Sequence, residues 1–365
     1  LAGHPESQSP EFISKVTPPV LLACTDADSR VRYYALEALY NISKSTRPAI
    51  LSVFSEKIFD ILFRLCADPD RSVQNAASIL DELMKTSIGT DAANSNFPLD
   101  AFLTKLVDFM QVVSSPQRLF LLDWISLIDS LPRADLRLLR ALPQLLPGML
   151  DFLGDTSPTV QNAASKLLHQ LMEDTEDDPD KVDVNALCLA LTEWLRENQV
   201  PSSPPFLGDM ATDNHFDASN AIASSSGVAI TWLRALIAAA PTELGNQAAA
   251  LLQASLRCLD TANPEIQSLG SELNEELLNA HSLLEKSNIS ELLTTAAEGT
   301  RAIQESARLA ALQWTARLLI QKKSGNNSNN IESTVLPALV DALSSSSDRV
   351  VDEAVSVLAA VYGSG

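Results

Sequence analysis

The chain is poor in the residues that most functional classes require. Cysteine occurs four times, as Cys24, Cys66, Cys188 and Cys258, with no C-x-x-C spacing, so neither a disulfide framework nor a thiolate metal knot is available. Cys24 and Cys66 precede Val31 and Val73 by seven residues, and Cys258 precedes Ile266 by eight. These three are expected as small apolar fillers at equivalent places, reduced and cytosolic. His4, His169, His215 and His281 form no H-x-x-x-H or E-x-x-H pair, and no glycine-rich phosphate cradle is present. No apolar run approaches the roughly 18 residues of a membrane span, no signal peptide opens the sequence, and no sustained period-two run announces strands. Base is scarce beside acid: 26 Lys and Arg against 46 Asp and Glu leave a net charge of −20. That balance argues against nucleic acid and against direct adsorption to an anionic leaflet, so membrane association has to pass through a partner. Asp174, Glu176 and Asp178 fall at loop positions one, three and five of a calcium site, but Pro179 occupies the place where the turn needs glycine. No enzyme, cofactor or metal centre is expected.

What is abundant is one helix, written eight times. Val31, Val73, Gln117, Val160, Ser225, Ile266, Ala307 and Val350 are separated by 42, 44, 43, 65, 41, 41 and 43 residues. Four residues after each stand Ala35, Ala77, Leu121, Ala164, Ala229, Gly270, Ala311 and Ala354. Apolar residues return again seven and eleven residues on, with Trp124, Trp232 and Trp314 sharing the first of these places. Such spacing describes one buried stripe of an α-helix. The tryptophans on it are expected as core filler. A stripe recurring every forty-odd residues marks an all-α solenoid of about eight HEAT- or armadillo-like helix pairs. The 46% apolar content supplies its core, and the 5% aromatic content suits layers of Leu and Ala.

The expected organisation is an unpatterned tail or cloning remnant over 1–11 and a single solenoid over 12–363. Acidic and Pro/Ser-rich loop insertions are expected at 173–183 and 199–218, and a polar linker at 324–330. First helices are expected near 12–25, 55–66, 98–111, 135–153, 183–197, 243–259, 288–297 and 331–344. Each second helix should begin two or three residues before its stripe and run about 15 residues. Asp26, Asp68 and Asp155 lie five residues before the stripe, and Arg32, Arg118 and Arg308 lie one after it, with Gln74, Gln161 and Gln267 in that place elsewhere. HEAT repeats are similar, joining successive units through such a ladder of acid and base. By sequence the ladder is broken in units three and five to eight. Val351, Val355 and Leu358 give the last helix a second apolar stripe, ready for a further unit, as in a chain cut from a longer protein.

One patch falls outside these structural patterns. In Asp26-Ala-Asp-Ser-Arg-Val-Arg-Tyr-Tyr-Ala-Leu-Glu-Ala-Leu-Tyr-Asn-Ile, Tyr33, Tyr34 and Tyr40 leave the buried stripe and Arg30 and Arg32 flank them. Tyrosine and arginine are the residues in which binding hot spots are enriched, and packing against neighbouring helices is the competing use. This segment resembles a signature of the vacuole morphology and inheritance protein 14 family. The runs Arg118-Leu-Phe-Leu-Leu-Asp-Trp-Ile-Ser-Leu-Ile-Asp-Ser-Leu-Pro, Ala307-Arg-Leu-Ala-Ala-Leu-Gln-Trp and Leu336-Pro-Ala-Leu-Val-Asp-Ala-Leu-Ser resemble later segments of the same family.

The resemblance implies a non-enzymatic scaffold, cytoplasmic and peripheral on vacuolar or endosomal membranes through its partners. It would organise a PIKfyve-type phosphatidylinositol-3-phosphate 5-kinase and so control phosphatidylinositol 3,5-bisphosphate. It assigns kinase binding to the N-terminal repeats. A Sac-family 5-phosphatase and self-assembly are assigned to a C-terminal region that this sequence lacks. Candidate partner contacts are then Arg30, Arg32, Tyr33, Tyr34, Tyr40 and Arg118, while Asp26, Asp68, Asp155 and Arg308 are ladder residues. An importin-type receptor for basic peptides is the alternative, although the Trp–Asn peptide-gripping ladder of armadillo importins is missing. A scaffold for a protein phosphatase is a third reading that no residue favours.

Overall fold

A computed structural model describes residues 10–45, 50, 53–91, 97–131, 135–198, 213–323 and 332–362. The fold is all-α, of the α-solenoid class, and no strand occurs among the described residues. Residues 1–9 of the expected tail, the Pro/Ser-rich stretch from 199 to 212 and the polar linker lie outside them, while Pro10 and Glu11, expected in the tail, already belong to the first helix. The chain divides into two compact units, Leu1–His169 and Gln170–Gly365.

In the first unit the helices are α1 (Pro10–Ala23), α2 (Ser29–Ser45), α3 (Phe59–Leu65, entered through a π-turn at Phe54–Ile58), α4 (Arg71–Asp91), α5 (Leu99–Phe109), α6 (Ser115–Asp129) and α7 (Asp135–Phe152). Helix α8 (Pro158–Asp177) runs across the division. The second unit holds α9 (Val184–Glu197), α10 (Asp213–Ala239), α11 (Ala248–Leu259), α12 (Pro264–Asn279), α13 (His281–Glu285), α14 (Ile289–Gly299), α15 (Glu305–Lys323), α16 (Glu332–Leu343) and α17 (Asp348–Tyr362). First helices pair with the second helices of their own repeats, as α1 with α2, α3 with α4, α9 with α10, α11 with α12, α14 with α15 and α16 with α17. Second helices also pack on second helices (α2 on α4, α10 on α12, α15 on α17), and first helices on first helices (α5 on α7, α9 on α11, α11 on α14). Within each unit the result is two layers that share an apolar seam.

Every described member of the small-residue row, from Ala35 to Ala354, is buried. The reason for small size is clearest at Gly270, where a Cβ would lie 2.7 Å from the Cys258 Cβ and 3.2 Å from backbone atoms of α11. Polar starts hold the turns. The Asn263 side chain accepts the amides of Glu265 and Ile266, with Pro264 in the first turn, and Asn288 accepts those of Ser290 and Glu291.

Three local expectations change. The first repeat's stripe is rotated: Ala35, Leu36, Leu39 and Ser43 are buried on α2, whereas Val31 is exposed and Ala38 and Ile42 are only half-buried. Helix α2 packs on α1 and α4, which covers its Leu36–Leu39 side and leaves the Val31 line open. The acidic run does not loop out at residue 173, because α8 continues to Asp177 and a 3-10 turn covers Pro179–Lys181. Buried Leu171 and Thr175 hold that extra turn, the Thr175 hydroxyl donating to the Leu171 carbonyl at 2.8 Å. Helix α10 begins at Asp213, well before its stripe, and its Ile222–Ala239 window is long and apolar enough, by length and composition, to cross a membrane. Half of that window is buried, with Trp232, Leu233 and Leu236 inside and α12 packed alongside. Interspersed Ala and Ser hid its length when only unbroken apolar runs were sought.

Gly270→Ala should destabilise the second unit by about 1–3 kcal/mol through overpacking, read as a lower midpoint in thermal unfolding.

Candidate partner-binding site

The exposed face of the first repeat is built on a rigid base. Seven of the eleven phenylalanines (Phe54, Phe59, Phe63, Phe97, Phe102, Phe109 and Phe120) join Trp124 in one aromatic cluster. The Trp124 indole donates to the Asp81 carboxylate at 2.9 Å, and Lys85 pairs with the same carboxylate at 2.8 Å. Burial pushes the Asp81 carboxyl above its usual range, against the pull of Lys85 and Trp124. In the second unit Trp314 repeats the arrangement, donating to Asn274 at 2.8 Å. Asp81 and Asn274 both stand eight residues into their stripe, and the tryptophans seven into the next one. The stripe pattern predicts these tryptophans as core filler. The polar residue opposite each was the signal that they are anchored. Trp314 and Asn274 are both buried, so neither is presented to a peptide.

On this base α2 presents Tyr34, 66% exposed, and Tyr33, 36% exposed, in an edge-to-face pair with centroids 5.4 Å apart. Arg30 points into solvent beside them, its Nη2 2.9 Å from the Asp28 carboxylate. That contact, with the Arg30 amide, holds the Asp28 pKa below its usual value. Leu22 on α1, 73% exposed, and Val31 add apolar surface. Tyr40 is half-buried, with the Lys44 ammonium 5.9 Å from its ring centre. The structure thus brings together Arg30, Tyr33 and Tyr34 as an accessible patch.

Arg32 and Arg118 are engaged within the chain. Arg32 makes a bidentate bond to Asp68, both contacts 2.8 Å, and reaches the Asp26 and Ala27 carbonyls at 2.9 and 3.0 Å. Arg118 donates to Asp155 at 2.9 Å and to the Val112 carbonyl at 2.9 Å. The rung is offset, its base coming from one repeat and its acid from the next, so the third repeat's joint is intact although that repeat has no acid of its own. Asp26, Asp68 and Asp155 also accept the amide two residues on, at 2.8, 2.9 and 2.7 Å, and so shape their turns. Gln74, Gln161 and Gln267 donate to carbonyls of their own turns, those of Asp68, Asp155 and Thr261, at 2.6, 2.6 and 2.7 Å, Gln267 also reaching the Leu259 carbonyl at 3.4 Å. Where Gln74 and Gln267 stand, the next repeat has Val112 and Ala302 in the acid's register. Arg308 donates to Ser345 Oγ at 3.0 Å.

Burial pulls the Asp155 pKa up, but bonds from the Ser115 hydroxyl, the Ser157 amide and Arg118 outweigh it and leave the carboxyl below its usual value. Burial likewise pushes the Cys24 thiol up to about 11 and those of Cys66, Cys188 and Cys258 up to about 12, so all four stay protonated near neutrality. Among the described residues no group of three or more His, Cys, Asp or Glu could hold a metal ion.

Residues 4–86, which contain the tyrosine face and the first rung, match the family model described as the Vacuolar 14 Fab1-binding region. The chain is also 31% identical to the VAC14 homologue of Arabidopsis thaliana, across 94% of this chain and 42% of that protein. The chain belongs to the vacuole morphology and inheritance protein 14 (VAC14) family. The VAC14 homologue of Schizosaccharomyces pombe is 25% identical across 95% of this chain and 52% of its own length. Vacuole morphology and inheritance protein 14 of Saccharomyces cerevisiae is 30% identical across 45% of this chain and 22% of its own. The chain therefore spans about half, or less, of the length of these VAC14 relatives. Among solved structures, one of an array of tumour overexpressed gene (TOG) domains superposes over 100% of this chain and 80% of its own, at 11% identity and a TM-score of 0.31; a likeness that weak carries no argument.

Arg118→Ala should cost about 1–3 kcal/mol, because it leaves the buried Asp155 carboxylate short of a partner, and Arg118→Gln should cost less, as glutamine keeps the turn-carbonyl bond. Thermal unfolding of the two variants side by side reads the difference. The lowered Asp155 pKa also sets an acid limb. Its stabilising contribution is complete above the unfolded carboxyl value of 3.8 and disappears as the pH drops through the lower folded value. Asp155→Asn should flatten the loss of stability below about pH 4, measured by denaturant unfolding across pH 2–6.

Proposed function

We propose that the chain is a non-enzymatic scaffold whose first repeats bind a phosphatidylinositol-3-phosphate 5-kinase of the Fab1 (PIKfyve) type. Arg30, Tyr33 and Tyr34 make the central contact, and Tyr40 and Leu22 border it. Arg32 and Arg118 act behind that surface by holding the joints that present it. The observation that carries this reading is the coincidence of an exposed aromatic–cationic face on α2 with the stretch matching a Fab1-binding region. Rigid, amphipathic tyrosines flanked by arginine give large contact area at small entropic cost.

On this reading the chain helps to control phosphatidylinositol 3,5-bisphosphate on vacuolar or endosomal membranes, and it reaches them through the kinase. Its net charge of −20 opposes direct contact with an anionic leaflet. A Sac-type phosphatase and self-assembly belong to other parts of the assembly.

Tyr34→Ala and Arg30→Glu should each weaken capture of the purified Fab1-type kinase by about ten-fold or more, with helical circular dichroism unchanged. Undiminished affinity in both variants would sink the reading.

A further inference from the structure

The joint between the last two repeats has an arginine without an acid. Arg308 stands in the register of Arg32 and Arg118, yet it meets the hydroxyl of Ser345 at 3.0 Å, and its buried Nε has no hydrogen-bond partner. Ser345 otherwise occupies the acid's seat. It lies five residues before Val350 and accepts the Ser347 amide at 3.1 Å, as Asp26, Asp68 and Asp155 accept theirs. A neutral hydroxyl supplies one oxygen and no charge, where aspartate supplies two oxygens and a full charge.

Ser345 lies in the turn between α16 and α17, half-buried between the exposed Ser344 and Ser346. Of the four consecutive serines 344–347, Ser345 alone has an acid three residues on, Asp348; the others have Ser347, Arg349 and Val350 in that place. We propose that Ser345 is a phosphorylation site for a protein kinase that reads a carboxylate three residues beyond its target, and that the phosphoserine completes the rung to Arg308. In the reaction the Ser345 oxygen attacks the γ-phosphorus of a nucleoside triphosphate. Its O–P bond forms as the bond to the β–γ bridging oxygen breaks, the hydroxyl proton passes to the kinase's base, and the nucleoside diphosphate leaves. The product carries a charge near −2 and three acceptor oxygens, enough to hold Nη1 and to take the unpartnered Nε. A neutral contact becomes a charge-assisted one, and the packing of α15 on α17 tightens on demand. This goes beyond the lipid-kinase reading and does not depend on it.

Two measurements test it. The purified chain is incubated with an acid-directed serine kinase of the casein-kinase type and ATP, and the product is mapped by mass spectrometry. Phosphate on Ser345 is expected; none there, or phosphate confined to Ser344 or Ser346, overturns the proposal. Phosphoserine is then installed at position 345 during synthesis, with Arg308 or with Arg308→Gln, a residue that the same register tolerates in three other repeats. Amide exchange in α15 and α17 should slow by about five-fold with Arg308 and not with Arg308→Gln. Equal slowing in both backgrounds, or none in either, overturns the rung.

Discussion

In repeats one to four and in repeat six, one side chain ties the inter-helical turn to itself and, where it is Arg32 or Arg118, to the next repeat. It stands one residue after the stripe begins and donates to a carbonyl of its own inter-helical turn: Arg32 to Asp26, Gln74 to Asp68, Arg118 to Val112, Gln161 to Asp155 and Gln267 to Thr261. Most of these bonds are part-buried, where an unmet carbonyl is costly. Arginine does the same and has donors left over, which cross to the acid of the following repeat. Arginine in this register therefore adds a base-to-acid rung across the joint, and glutamine does not.

Between the stitches, small residues set how closely the helices approach. Gly270 is the limiting case, since the α11 backbone fills the space where a Cβ would go. At the other extreme the tryptophans fill wide crossings, and Asp81 and Asn274 fix two of them by their indole N–H groups. The aromatic cluster around Phe54, Phe59 and Trp124 makes repeats two and three a stiff platform. Tyr33 and Tyr34 stand on a helix joined to the second repeat by the buried Arg32–Asp68 pair. A contact surface held by a desolvated bidentate pair loses little entropy when a partner arrives.

The chemistry of the remaining polar groups is quiet. The thiols are buried or half-buried and protonated, and the buried acids are engaged, Asp81 by Trp124 and Lys85, Asp68 and Asp155 by their turns and an arginine. On the scaffold reading, function resides in which surface is presented and how firmly the joints present it. Replacing Asp by Ser at a single seat, as at Ser345, then becomes a place where a charge can be added later.

The helix pairs, their spacing and the small-residue row could all be read from the sequence, because helical periodicity and local turn chemistry act over a few residues. The tyrosine patch was legible too, since Tyr33 and Tyr34 break the stripe. The pairing across joints was not. That Arg118 meets Asp155, 37 residues away, while the third repeat's own turn has no acid, follows only from the offset with which one repeat stacks on the next. The rotated stripe of α2 and the burial of Asp81 likewise depend on which neighbours cover a helix, and no local pattern carries that. The sequence by itself determined what each repeat is; tertiary structure decided which donor met which acceptor and which face stayed open, because those are set by long-range packing geometry.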